Sequence, residues 1–396
     1  MDNQARFLKY LSQTSPEPIG IEVASAEGSW IVDAAGRRYL DFISGIGVAN
    51  VGHRHPAVLA AIREQIDRYL HVMVYGEYVQ TPQVELAERL AKAAPDPLSV
   101  TYLTNSGAEA VEGALKLARK FTGRSLFVAF ERSYHGDTLG AMSVMGQQSP
   151  RAPYEPLLPA RILPWDDPAA LEAIDDRAAA VIMEPIQAEG GVRLPSPDFL
   201  ARVRRRCTEA GALLLLDEVV TGFGRTGRLF ALEHWGVEPD LLILAKAMGG
   251  GMPLGGFMGR PELMATLSDN PPLSHLTTFG GHPVSCAAGL ASLRVIQEER
   301  LAEAAVKTGR QLLDALAGMT GLGGLKGVRG LGLLIGMEFE AALRCEDFAA
   351  KCRKQGLLLG WTLHHDRVVR LAPPLNLTAD ELDHGLAIIQ QALRQK

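Results

Sequence analysis

The sequence predicts an α/β protein: a large domain with a mostly parallel sheet flanked by helices, and a smaller α+β domain beside it. Short apolar runs of strand length, "SLFVAF", "AAAVIMEPI", "ALLLLDEVV" and "DLLILAKA", alternate with helical periodicity such as "PAVLAAIREQIDRYL" and "TPQVELAERLAKAA". That alternation marks crossover units whose helices cover both faces of a parallel sheet. The length, 396 residues, suits one large domain with a smaller one attached.

In chain order, residues 1–54 contain "GSWIVDAAGRRYLDF", which reads as two short strands around a turn at Asp33 to Gly36. This segment is expected to pack with the small domain. Residues 55–284 carry the alternating pattern and form the expected large domain. Residues 285–396 hold a long helical stretch, then "GVRGLGLLIGMEFE", a helix, "GLLLGW" and "RVVRLAPPL". The final helix, "LTADELDHGLAIIQQALRQ", starts with a capping box at Thr378 and Glu381.

Composition narrows the function. A 47% hydrophobic, 21% charged chain with net charge -5 is ordinary for a globular protein and disfavours nucleic acid as a partner. Cys207, Cys286, Cys345 and Cys352 lack C-x-x-C spacing, so neither a zinc site nor a disulfide framework is expected, and a reducing cytoplasm fits best. The start, "MDNQARFLKYLSQTSPEP", has no signal-peptide core, and the apolar runs are too short to span a membrane.

Ligands of parallel sheets collect at the carboxyl ends of the strands, so polar residues that end apolar runs are the first candidates. Asp217 ends "LLLLD" and Lys246 follows "DLLILA". A buried carboxylate calls for a cation or several donors, and a desolvated lysine is a nucleophile and proton carrier. In "TNSGAEAVEGALKLARK", Ser106 and Glu109 form a capping box while Gly107 and Ala108 leave helix N–H groups open, a site suited to phosphate. Tyr134, after "SLFVAF", is a flat aromatic able to stack on a ring. "GLGLLIG" at Gly330 to Gly336 mimics a dinucleotide fingerprint, but the strand continues into "MEFE" where a helix is needed. His53, His55, His364 and His365 lack the helical spacing of metal ligands.

A Schiff-base lysine, a strand-end carboxylate, an aromatic plate and a phosphate-binding helix start together describe a pyridoxal phosphate site. "NSGAEAVEGALKLAR", "YHGDTLGAMS", "EPIQAEGG", "LLLLDEVVTGFGRTG", "LAKAMGGGMPLGG", "TTFGGHPVSCAAG" and "VRLAPPL" resemble, in order, the motifs of class III aminotransferases, the fold-type I group that includes acetylornithine and ornithine aminotransferases. The resemblance covers residues from about 20 to 390. It implies Lys246 as the Schiff-base lysine and Asp217 as the partner of the pyridine nitrogen. Ser106, Gly107 and Ala108 would hold the phosphate, Tyr134 and Val219 would flank the ring, and His135 and Val220 would belong to its surroundings. Thr278 would reach the phosphate from a neighbouring subunit, making a homodimer. Glu189 and Arg370 would open or close to admit different substrates, with Thr277 and Asp137 also on the substrate side.

The implied reaction is a ping-pong transfer from an ω-amino acid or diamine-type donor to a 2-oxo acid such as 2-oxoglutarate or pyruvate. An epimerase or aminomutase on the same fold is the alternative. Two positions depart from the pattern. Asp137 stands where acetylornithine and ornithine aminotransferases carry an arginine for the α-carboxylate, and Val220 stands where a glutamine is common. "YHGDT" is closer to diaminopelargonate aminotransferases, which lack the glutamate found here as Glu189. By its sign, Asp137 is expected to favour a second cationic group on the donor.

Overall fold

The structure, a computed structural model, describes residues 2–74, 76–340 and 345–395. Near the N-terminus lie β1 (Val23–Glu27), β2 (Trp30–Asp33) and β3 (Arg38–Asp41). The central strands are β4 (Val100–Thr104), β5 (Leu126–Phe130), β6 (Ala160–Leu163), β7 (Ala178–Met183), β8 (Leu213–Asp217), β9 (Leu241–Leu244) and β10 (Gly255–Gly259). Towards the C-terminus come β11 (Leu325–Leu331), β12 (Leu334–Phe339), β13 (Leu357–Leu358), β14 (Gly360–Thr362) and β15 (His365–Leu371).

The central sheet has the order β4-β10-β9-β8-β7-β5-β6. β10 pairs antiparallel with both neighbours, while the pairs from β9 to β6 are parallel, so the sheet is mostly parallel as expected. The leucines of β8 have a simple cause. Leu214 and Leu216 face one apolar layer with Leu242 and Leu244, whereas Leu213 and Leu215 face the other with Ile243 and Phe257. Side chains alternate along a strand, so only a continuous apolar run fills both layers.

One layer is built by the helix Gly107–Thr122, whose Ala110, Ala114 and Ala118 pack on Ala180 and Ile182 of β7. It ends at Gly123, whose left-handed φ of 70° closes the last turn.

β1, β2 and β3 form an antiparallel ladder, and β3 also pairs in parallel with β13. The third sheet, β11-β12-β15-β14, is antiparallel throughout. "GLGLLIG" is the tight hairpin between β11 and β12, with Leu331 opposite Leu334, and no helix follows it. The capping box of the last helix is present, with Thr378 and Glu381 serving each other's backbone. No helix of the described residues is long and apolar enough to cross a membrane.

Candidate active site

β4, β5, β7, β8 and β9 run in one direction, so their carboxyl ends share one edge of the sheet. A cavity of about 610 Å³ opens there, and residues following all five strands line it. Asp217 ends β8 and Lys246 lies just past the end of the adjacent β9, whose Ile243 is paired in register with Asp217.

Asp217 is buried. Its Oδ1 accepts the Val219 N–H at 3.0 Å, and its Oδ2 lies 2.7 Å from Nδ1 of His135, itself buried. The other ring nitrogen of His135, Nε2, is buried without a hydrogen-bond partner among the described residues. Lys246 has a left-handed backbone, φ 50°, which is uncommon outside glycine and confined to sites where the surroundings impose it. Burial and the Arg370 charge push its ammonium pKa down, and Glu189, Asp217 and Glu184 oppose that shift. A lysine so placed sheds its proton more readily than one in water.

The helix Gly107–Thr122 starts at the cavity with Ser106 as N-cap, its hydroxyl accepting the Glu109 N–H at 3.2 Å. The reciprocal half of the expected capping box falls one residue earlier: Glu109 accepts from the backbone and side chain of Asn105. Gly107 and Ala108 line the cavity, and their N–H groups have no intrahelical acceptor. Space is tight at two glycines here, and at Gly136 the positive φ makes glycine necessary as well. A Cβ on Gly107 would lie 3.1 Å from the Val219 methyls, and one on Gly136, at φ 121°, would lie 2.7 Å from Ala108 Cβ.

Tyr134 and Val219 both line the cavity. The Tyr134 hydroxyl donates to Asp137 Oδ2 at 2.7 Å; burial and this bond raise its pKa strongly. Asp137 is exposed at the cavity wall. Val220 lines the cavity and packs on Ile186, Ala188 and Val192.

Glu189 and Arg370 form a buried ion pair. Against the desolvation that would raise it, the charge and hydrogen bond of Arg370 hold the Glu189 carboxyl below its ordinary value. Glu189 lines the cavity and Arg370 stands behind it, on β15. Thr277 lies outside the cavity, its hydroxyl taking hydrogen bonds from Asn105 and from the Gly280 N–H. Thr278 is exposed and also outside it. His53 and His365 are hydrogen-bonded, to Asp41 and to the Arg367 N–H, and His364 bonds the Arg132 carbonyl.

Sequence reasoning passed over Glu184, the first residue after β7, which is buried and lines the cavity. The criterion that selected Asp217, a carboxylate ending an apolar run, selects Glu184 equally. It also passed over Arg225, wholly buried in the "GFGRTG" turn, for which no periodicity gives a signal.

A ligand with a phosphate, a flat ring and a ring nitrogen fits these residues. Open helix N–H groups suit the phosphate, Tyr134 and Val219 offer ring contacts, and Asp217 is a buried carboxyl group that suits a ring nitrogen.

The aminotransferase class-III family model matches residues 11–393. The acetylornithine aminotransferase of Methanosarcina acetivorans is 41% identical over 99% of this chain and 98% of its own length. That of Methanopyrus kandleri is 43% identical over 94% of each chain. The ornithine aminotransferase of Toxoplasma gondii superposes with a TM-score of 0.91 at 32% identity, over 98% of this chain and 92% of its own. An amine transaminase from an uncultivated Pseudomonas species, in its PLP-bound form, gives 0.89 at 30% identity, over 97% and 99%. These relatives favour transamination over the isomerase alternative, and with a family match spanning nearly the whole sequence, the chain belongs to the class-III aminotransferases, whose cofactor is pyridoxal phosphate.

Proposed function

We propose that the chain moves an amino group from an ω-amino acid or diamine-type donor to a 2-oxo acid, with Lys246 and Asp217 as its central catalytic pair. One observation carries this reading: the lysine and the carboxylate lie at the ends of adjacent strands in a cavity that also holds an open helix N-terminus. Bound pyridoxal phosphate supplies a ring that accepts the electrons left behind when a substrate C–H bond loses its proton. Asp217, held by His135 and the Val219 N–H, keeps a proton on the ring nitrogen. Lys246, with its depressed pKa, would take the proton from the substrate carbon and deliver it to the cofactor instead of back to that carbon, so that the amino group stays with the cofactor. Ser106, Gly107 and Ala108 bind the phosphate at the helix start, while Tyr134 and Val219 fix the ring plane and exclude water from its faces.

Glu189 occupies Arg370 while an amine is bound, so no free guanidinium faces the donor. When a 2-oxo acid enters, Glu189 swings away and Arg370 takes the carboxylate. Asp137 meets the far end of the donor.

The active unit in this reading is a homodimer in which Thr278 of one subunit reaches the phosphate held by the other. Support comes from the surface near Thr278, where Phe279, Leu276, Leu273 and Val79 are exposed together. Four buried free thiols and the lack of a membrane-crossing helix among the described residues are consistent with a cytoplasmic enzyme. The direct test is a single half-reaction: purified holoenzyme mixed with an ω-amine and no acceptor loses its visible absorption band, and Lys246→Ala does not. If no amine from a panel of diamines and ω-amino acids moves that band, the proposal is wrong.

A further inference from the structure

We propose that Glu184 is a positioning residue that braces Tyr134 and the Glu189–Arg370 pair against each other, and so sets the balance between the amine-binding and the carboxylate-binding state of the site. The proposal rests on the roles given above to Glu189 and Arg370. Glu184 follows β7 directly and lines the cavity, and each of its oxygens takes one backbone N–H. Oε1 accepts from Tyr134 at 3.1 Å, and Oε2 accepts from Ala188 at 2.9 Å. Tyr134 flanks the ring site, and Ala188 immediately precedes Glu189. One buried carboxylate therefore spans the loop after β5 and the loop after β7.

Side-chain chemistry makes the choice of residue specific. A carboxylate accepts with both oxygens, whereas glutamine has one oxygen and would leave one of these two N–H groups without an acceptor. Other bonds hold the segment as well: Gln187 pairs with Arg193, the Ala188 carbonyl accepts the Val192 N–H, the Glu189 carbonyl accepts the His364 N–H, and Glu189 Oε2 accepts the Leu363 N–H at 3.0 Å. Glu184 is the acceptor of the Ala188 N–H, one residue before the position from which the Glu189 side chain must swing. The site retains it at a cost, since burial pushes the Glu184 carboxyl up to about 7, with the charge of His135 and the two N–H bonds opposing and Asp217 adding to the rise.

Removing the brace loosens Glu189 from Arg370, and the freed guanidinium favours carboxylate ligands. The experiment compares wild-type holoenzyme with Glu184→Gln and Glu184→Ala. The two half-reactions are run separately, an ω-amine on one side and 2-oxoglutarate on the other, and binding of unreactive glutarate is measured by calorimetry. Glu184→Gln is expected to lower the ratio of the 2-oxoglutarate KM to the amine KM roughly 5-fold, the worth of one lost hydrogen bond, and to tighten glutarate by a similar factor. Glu184→Ala is expected to do more of the same. If Glu184→Ala fails to fold, Glu184→Gln keeps the shape and carries the test. A ratio within twofold of wild type, both KM values rising together, or unchanged glutarate affinity overturns the brace. A wild-type enzyme that converts no amine overturns the proposed function instead, and glutarate binding alone then decides the role of Glu184.

Discussion

Two carboxylates near the cavity differ in what their surroundings ask of them. Asp137 is exposed, and its Oδ2 already accepts from Tyr134, so the rest of its charge is directed at solvent or at a donor's far end. Asp137→Asn is expected to lower the ratio of kcat/KM for a diamine to that for the monoamine of equal length roughly 2- to 5-fold, the range of an exposed ion pair. The effect should shrink as salt is raised, and an unchanged ratio removes Asp137 from donor selection. Glu184 is buried, and its pKa rises from an ordinary 4.5 to about 7, desolvation being the main cause. A carboxyl with a raised folded pKa contributes stability below the unfolded value that is lost as pH climbs from about 4.5 through about 7. Apoprotein of Glu184→Gln escapes that loss. Its stability relative to wild type should therefore improve between pH 5 and pH 8 by up to about 3 kcal/mol, read from urea unfolding at each pH. The orphaned N–H shifts both ends of that comparison equally, so the slope carries the prediction. A pH-independent difference would mean that Glu184 titrates normally.

Arg225 joins the turn after β8 to three other segments. Its guanidinium donates to the Leu333 carbonyl at the β11–β12 hairpin, to the Pro373 carbonyl just past β15, and to Asn50 Oδ1 in the N-terminal segment. Burial and the Arg370 charge push its pKa down to about 9, yet its reach is what holds these elements together. Arg225→Ala orphans three acceptors and leaves a void, so a loss of at least about 3 kcal/mol in apoprotein unfolding is expected, and a loss under about 1 kcal/mol would mean that the turn is anchored by other contacts. The strands that a reader of the sequence finds are those buried on both faces, β5, β7, β8 and β9, because two apolar layers demand an unbroken apolar run. β10, "GGFMG", hides from that criterion. A Cβ on Gly255 would lie 2.4 Å from the Ser106 carbonyl oxygen and one on Gly256 2.8 Å from that of Tyr102, so close backbone approach replaced the apolar pattern with glycine. The same logic applies to the candidate site. Asp217, Lys246 and the Ser106 helix start were legible because each interrupts a strong local pattern, and Glu184, which also ends an apolar run, was open to the same criterion, whereas Arg225 acts through groups far away in sequence.

At the scale of the molecule, the cavity is built from one edge of the central sheet, but Thr278 stands apart from it on an exposed stretch with Phe279 and Leu276. Three large apolar side chains around it, Leu273, Leu276 and Phe279, leave roughly half their surface in water, and pairing with a second copy would bury them. A shared site makes a prediction that no single-chain arrangement makes. Lys246→Ala and a Thr278 variant such as Thr278→Ala are each expected to be weak or inactive when pure, the first for want of the proton carrier and the second for weakened phosphate binding. In a mixed dimer, one site combines both defects, while the other has an intact Lys246 and receives an intact Thr278 from its partner. Random reassociation of equal amounts makes about half the dimers mixed, so roughly a quarter of the native sites should reappear. Activity measured after unfolding and refolding the two variants together, against each refolded alone, reads this directly. Recovery near a quarter supports exchange of Thr278 across the interface. If the mixture only averages the two pure variants, Thr278 serves its own subunit and the exposed apolar stretch has another use.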